Sequence, residues 1–182
     1  MAKSKTGSFW LTETVTIAAG DTGNAGSIDL GAYVDVGDQQ AFSIESVDVI
    51  WQAHNTLADV YHSYFKPVVG SDAAFDIQLT DLNPGGVIIT ADDNSLVASA
   101  AMSIDDTNNV LSFGPDLYPD NFGKLDESRM VVNDSLYVVI RSTDAIEANY
   151  ALLATVRIKA RIVKLNTKDW MAIAIQSTAS DN

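Results

Sequence analysis

From Tyr150 to Leu165 the chain alternates apolar and polar residues almost without interruption. Leu152, Ala154, Val156, Ile158, Ala160 and Ile162 share one parity, and Thr155, Arg157, Lys159 and Arg161 share the other. A period of two residues marks a half-buried β-strand, because successive side chains project to opposite faces of a sheet. The run is sixteen residues long, against a usual strand of about 5–6. It must therefore bend through a bulge or serve two sheets.

Shorter runs repeat the pattern. Phe9–Ala18 places Phe9, Leu11, Val15 and Ile17 on one face and threonines on the other. Phe75, Ile77 and Leu79 alternate with Asp76, Gln78 and Thr80. In Ala41–Gln52 the apolar parity switches near Glu45-Ser46, which predicts a bulge or a crossing between sheets. Ser27–Leu30, Val87–Thr90, Val110–Phe113, Arg129–Val132 and Ser135–Ser142 read as further strands. Ser95–Ser103 is rich in alanine and is compatible with one short helix capped by Asn94 or Asp93. Thr167-Lys168-Asp169-Trp170 opens either a C-terminal helix with Thr167 as N-cap, or a strand through Trp170, Ala172 and Ala174.

Eight or nine strands separated by Gly, Asp, Asn and Pro loops, with no βαβ alternation, predict an all-β fold. The expected form is an antiparallel two-sheet jelly roll or β-sandwich with at most one or two short helices. Residues 1–8 are expected as a flexible N-terminal arm and 9–182 as one domain. The core is expected to hold Phe42, Ile44, Val49, Trp51, Phe75, Ile77, Leu79, Val138, Ile140, Val156, Ile158 and Ile162.

Composition narrows the chemistry. The chain has no cysteine, which excludes disulfides, thiolate metal sites and cysteine nucleophiles. The first residues lack the apolar core of a secretory signal, and no run of about 18 apolar residues is present. Synthesis in a host cytoplasm is the expectation.

Candidate reactive groups are sparse. His54 and His62 would need a third partner, such as Asp59, to hold a metal or exchange protons, and their spacing matches no zinc or nucleophile motif. The paired acids Asp92-Asp93 and Asp105-Asp106 are weak calcium candidates, since they match no calcium-loop pattern. Gly20–Gly31 contains no phosphate-binding signature. No catalytic residue, cofactor or small-molecule substrate is expected.

Charge gives the functional lead. The net charge is −13, and between Thr6 and Gly123 a single cation, Lys66, faces seventeen carboxylates. Arg157, Lys159, Arg161, Lys164 and Lys168 then crowd into twelve residues. The row Arg157, Lys159, Arg161 has three readings. It meets an acidic patch on another copy, it meets nucleic acid or anionic lipid beneath a shell, or it is a solvated face that discourages aggregation. Trp10 lies on the threonine side of its strand and joins the row as an interface candidate.

A cysteine-free chain of this size, built from short strands and long polar loops, resembles the single-jelly-roll major capsid proteins of tailless icosahedral viruses of archaea and thermophilic bacteria. The resemblance spans the whole chain, rests on architecture and carries no residue motif. It implies a self-assembling virion subunit whose partners are other copies or other shell proteins, around a lipid-lined or nucleic-acid-filled interior. A carbohydrate-binding β-sandwich, with Trp10, Trp51, Trp170, Tyr61, Tyr64 and Tyr118 as stacking platforms, is the alternative, as is a fibre or appendage subunit.

Overall fold

The computed structural model describes residues 2–114 and 129–178. The strands are β1 (Lys3–Ser4), β2 (Phe9–Ile17), β3 (Gly23–Asp29), β4 (Gln40–Asn55), β5 (Val60–His62), β6 (Ala73–Thr80), β7 (Leu96–Asp105), β8 (Val110–Phe113), β9 (Arg129–Val131), β10 (Ser135–Ser142) and β11 (Tyr150–Lys164). One helix, α1 (Thr167–Thr178), follows.

The strands form two sheets, and every pairing between them is antiparallel. In the first, β11 lies between β4 and the β1–β2 edge, and β5 and β9 pair with opposite ends of the far edge of β4. The second runs β3-β10-β6-β7-β8. The winding is nested: β2 pairs with β11, β3 with β10, β4 with β9, and β6 with β7. A long hairpin rolled on itself gives this order, and the fold is a jelly roll.

The inner faces meet in one core of Ile17, Phe42, Ile44, Phe75, Ile77, Leu136, Ile140, Leu152 and their neighbours. Burying such a side chain is worth roughly 1.5–3 kcal/mol each. Ten of the twelve expected core residues are buried. Val49 and Ile162 are only half-buried. Val49 sits where the far edge of β4 lacks a described neighbour, between the stretches paired by β9 and β5.

The parity switch in β4 is a bulge. Lys159 pairs with Ser46 but Ala160 pairs with Ile44, so Glu45 is the extra residue. β11 therefore stays in one sheet for its whole length, and its partner strand supplies the irregularity.

Four expectations are corrected. Of Ser95–Ser103, all but Ser95, which lies in the preceding turn, belong to a strand: β7 pairs along β6 on one side and β8 on the other, and the ladder outweighs the helix preference of its alanines. Val87–Thr90 is loop, and its Ile89 peptide group bonds a side chain instead of a strand. Gln78 Nε2 donates to the Ile89 carbonyl and Gln78 Oε1 accepts from its N–H, both at 2.8 Å. Residues 3–6 are not a free arm. β1 pairs with Lys164 and Val163, the Lys5 N–H donates to the Ile162 carbonyl, and the Ile162 N–H donates to Thr6 Oγ1. The cap of α1 is Asn166, whose Oδ1 accepts the Asp169 N–H at 2.8 Å, and Thr167 is the first residue of the helix itself. The loop with Pro115, Pro119 and Tyr118 lies outside the described residues.

Helix α1 covers the outer face of the first sheet at one end. Trp170, Ile173 and Ala174 pack over Ala41, Val132, Val163 and Leu165 in a second, smaller cluster.

Candidate interaction surfaces

The outer face of the first sheet carries the row read from the sequence. Arg157, Lys159 and Arg161 project there from β11, beside Trp10 on β2 and Asp48 on β4. The bulge rotates Glu45 onto the same face. Its carboxylate pairs with Arg161, lies 3.7 Å from Lys159 Nζ, and accepts from Ser8 Oγ at 2.8 and 3.0 Å. Only 11% of the Glu45 side chain is exposed. Arg157 instead sits over the Trp10 ring, 4.8 Å from its centroid. Two of the three cations thus find an acid within the chain, and the third finds a π face.

The row continues toward α1. Asp38 lies between Lys5 at 3.1 Å and Lys164 at 3.7 Å. The hydrogen bond from Lys5 and the charge of Lys164 hold its carboxyl below the usual value. Lys3, Lys5, Lys164 and Lys168 gather at the α1 end, among Asp29, Asp35, Asp38, Asp81, Asp92, Asp93, Asp134 and Asp169.

The opposite end is acidic. The β2–β3, β5–β6 and β10–β11 loops and the β4–β5 and β7–β8 hairpins bring together Asp21, Asp59, Asp72, Asp105, Asp106, Asp144 and Glu147, with Lys66 as the cation. Lys66 is 3.5 Å from Asp106 and also donates to Asn109 Oδ1. Two hairpins share one construction. Asn55 Oδ1 accepts the N–H groups of Leu57 and Ala58, Asp105 Oδ1 accepts that of Asn108, and Asp59 and Asn109 take left-handed φ values of 51° and 57°. Large apolar side chains stand out at these tips: Leu57 is 79% exposed, Tyr64 63% and Tyr61 55%.

The histidines sit on the β4–β5 hairpin. His54 Nε2 is 3.0 Å from Asp59 Oδ1, the partner named from sequence, and its ring stacks on Tyr61 at 4.2 Å. His62 faces the other side of the hairpin, accepts the Tyr64 N–H at Nδ1, and meets Tyr150 edge-on. The structure does not bring the two histidines together. The paired acids serve local turns: Asp93 Oδ1 accepts from the Ser95 N–H and hydroxyl, Asp105 holds Asn108, and Asp106 faces Lys66. Among the described residues no three His, Cys, Asp or Glu side chains converge as a metal site would require.

The aromatic platforms are scattered. Trp51 is buried against Phe75, Trp170 packs from α1 onto the first sheet, and one face of Trp10 is taken by Arg157. Sequence reasoning missed an internal pair. Asp81, 2% exposed, is 3.2 Å from Arg129 Nη2, which also donates to the Asn94 carbonyl. Burial raises the Asp81 carboxyl above its ordinary value, although Arg129 opposes the shift. Near it, a cleft of about 510 Å³ opens between α1, the loop before β4 and the start of β10.

No family model matches the chain, and no curated protein matches it. Among solved structures it is similar to VP1 of Merkel cell polyomavirus, described as an unassembled pentamer. The identity is 10%, the TM-score 0.42, and the match covers 90% of this chain and 99% of that one. It is also similar to VP1 of Trichodysplasia spinulosa-associated polyomavirus, solved in complex with sialylated precision glycooligomers, at 8% identity and TM-score 0.43, over 90% and 98% of the two chains. A third similarity is to Desmodium yellow mottle tymovirus, at 10% identity and TM-score 0.31, over 88% and 90%.

Proposed function

We propose that this chain is a structural subunit of a virion shell, without a reaction centre, that assembles with copies of itself. The observation that carries the reading is a row of cations on one sheet face of an otherwise acidic jelly roll. A body of net charge −13 sets Arg157, Lys159 and Arg161 side by side on the outer face of one sheet, while both ends of the sandwich carry acids and exposed apolar side chains. Jelly rolls serve as shell domains in viral capsids and as ligand-binding domains in lectins. The scattered tryptophans favour the first use over the second. The cationic face of one copy attracts an acidic surface of another, while their like-charged bodies limit random aggregation.

Light scattering after size-exclusion chromatography, with electron microscopy of the heaviest fraction, tests the reading. The expected result is a discrete oligomer or closed particle whose formation weakens as salt rises. A monomer at every concentration and salt level would overturn it. Replacing both His54 and His62 by alanine should leave assembly unchanged.

A further inference from the structure

We propose that the outer face of the first sheet, around Arg157 and Trp10, seats the β4–β5 hairpin tip of a second copy. This rests on the self-assembly reading and names the acidic surface that the cationic row meets.

The face suits an acidic and partly apolar visitor. Arg157, Lys159 and Arg161 stand beside Glu45 and Asp48, so cations outnumber acids there among the described residues. Glu45 is engaged by Lys159 and Arg161. Arg157 forms no ion pair among the described residues and lies over the Trp10 ring. Apolar surface adjoins the charge: Trp10 is 45% exposed, and Ile50, on the same face of β4, is 41% exposed. Thr12, opposite Arg157, is short and exposed, which leaves room for a protruding group.

The hairpin tip offers the complement. Leu57 is the most exposed large apolar side chain among the described residues, with Val60 and Tyr61 beside it. The Asp59 side chain is 86% exposed. The tip is already ordered: Asn55 Oδ1 accepts the Leu57 and Ala58 N–H groups at 3.1 Å each, and His54 meets Asp59 and stacks on Tyr61. A preformed knob loses little conformational freedom on docking.

The surroundings of the other acids select this tip. At the α1 end Lys3, Lys5, Lys164 and Lys168 stand among the acids, and Asp38 lies between two of these lysines. At the loop end Asp105 holds Asn108, Asp106 faces Lys66, and Asp144 accepts from Ser71. Asp59 instead projects beside exposed apolar side chains, with His54 as its neighbour. Acid beside apolar on the tip thus meets cation beside aromatic on the face. Geometry makes the contact intermolecular. Asp48 lies opposite Arg157, and from Asp48 to Asn55 β4 runs about 23 Å at roughly 3.3 Å per residue, so the tip cannot fold back on its own row. A contact between unlike patches propagates into a ring if the rotation closes and a chain if it does not.

The test uses two variants of the full chain. The face variant carries Thr12→Glu and Arg157→Glu, which reverse the charge and leave Glu45 with its partners. The tip variant carries Leu57→Lys and Asp59→Asn; asparagine tolerates the left-handed backbone at that position, where φ is 51°. Far-UV circular dichroism checks that the fold is kept. Each variant alone should run as a monomer at concentrations where wild type is oligomeric. An equimolar mixture should give one-to-one dimers that weaken as salt rises, because each such pair retains one intact tip and one intact face. Persistence of the wild-type oligomer in either variant, or a mixture that stays monomeric, overturns the pairing while leaving self-assembly in place. Loss in the face variant alone would assign the row to another acidic surface and overturn the tip as its partner. A monomeric wild type would remove the assembly reading itself. Because the chain has no cysteine, Leu57→Cys mixed with Thr12→Cys gives a second readout. Oxidation should crosslink the two unlike chains in excess of either chain with itself, and an even distribution would overturn the docking.

Discussion

Glu45 and Asp81 both meet an arginine from a distant strand, yet the two sites house their charge in opposite ways. Glu45 stands on a sheet face with Arg161, Lys159 and Ser8 around it, and its cations remain 29% and 43% exposed. Asp81 is shut inside with Arg129 as its cation and the charge of Asp93 opposing it, and among the described residues Asp81 Oδ1 and Arg129 Nε are buried without a hydrogen-bond partner. A partly hydrated carboxylate with several donors costs little to hold. A desolvated one depends on its single cation, because the Coulomb attraction must offset the loss of water from both groups.

The largest expected effect follows from that dependence. Arg129→Met leaves Asp81 buried without its cation and should lower stability by about 3–5 kcal/mol, read as a shift in urea midpoint. Adding Asp81→Asn to the same chain should recover most of the loss, since a neutral pair carries no uncompensated charge. If the double variant were as unstable as the single one, the cost would lie in packing and not in the stranded carboxylate.

The same contrast has a pH signature. Burial raises the Asp81 pKa in the folded state, so between its unfolded and folded values the native state binds more protons than the unfolded one. Asp81 therefore subtracts stability as pH rises through that window, starting near 3.8. Asp38 and Asp144, whose carboxyls are lowered first by hydrogen bonds from Lys5 and Ser71, have the opposite sign, and their contribution is lost as pH falls. The difference between wild type and Asp81→Asn, followed from pH 3 upward, isolates the first term. Relative to that variant, wild type should grow less stable as pH rises, and a flat difference would mean that Arg129 cancels the burial.

A smaller effect is expected at the bulge. Glu45→Gln keeps the shape and a weaker acceptor but removes the charge beneath Lys159 and Arg161. With both cations partly hydrated, about 1 kcal/mol is the expected loss, and it should shrink in high salt. A loss as large as that of Arg129→Met would erase the distinction between the two sites.

How much of this the sequence carried depends on range. The bulge was readable because a parity break is local: Phe42 and Ile44 precede it, and Val47, Val49 and Trp51 follow. The cationic row was readable for the same reason. That Glu45 is the acid beneath the row was not, because 116 positions separate it from Arg161 and only the register of β4 on β11 brings them together. Arg129 and Asp81, 48 positions apart, belong to no periodic pattern at all. β5, with three residues, is too short to show a period. β7 misled because its alanines favour a helix locally, while its place between β6 and β8 is decided by tertiary pairing.

The smallest effect separates what the row does for the fold from what it does for a partner. Arg157 is the member of the row that forms no ion pair among the described residues, and it rests on Trp10, itself 45% exposed. An exposed cation–π contact is worth about 0.5–1 kcal/mol, so Trp10→Leu should cost no more than that in stability. Its neighbours buffer the loss: Thr14 and Thr155 are joined by a 2.8 Å hydroxyl contact one pair further along the same face, and the inner row of β11 is buried regardless. Releasing Arg157 also frees its charge to solvent. If the outer face of this sheet meets an acidic surface of another copy, Trp10→Leu should alter the salt dependence of association while leaving the urea midpoint within about 1 kcal/mol of wild type. A change in the midpoint with no change in association would mark the pair as an internal brace of the sheet, equivalent in kind to Glu45 and Arg161.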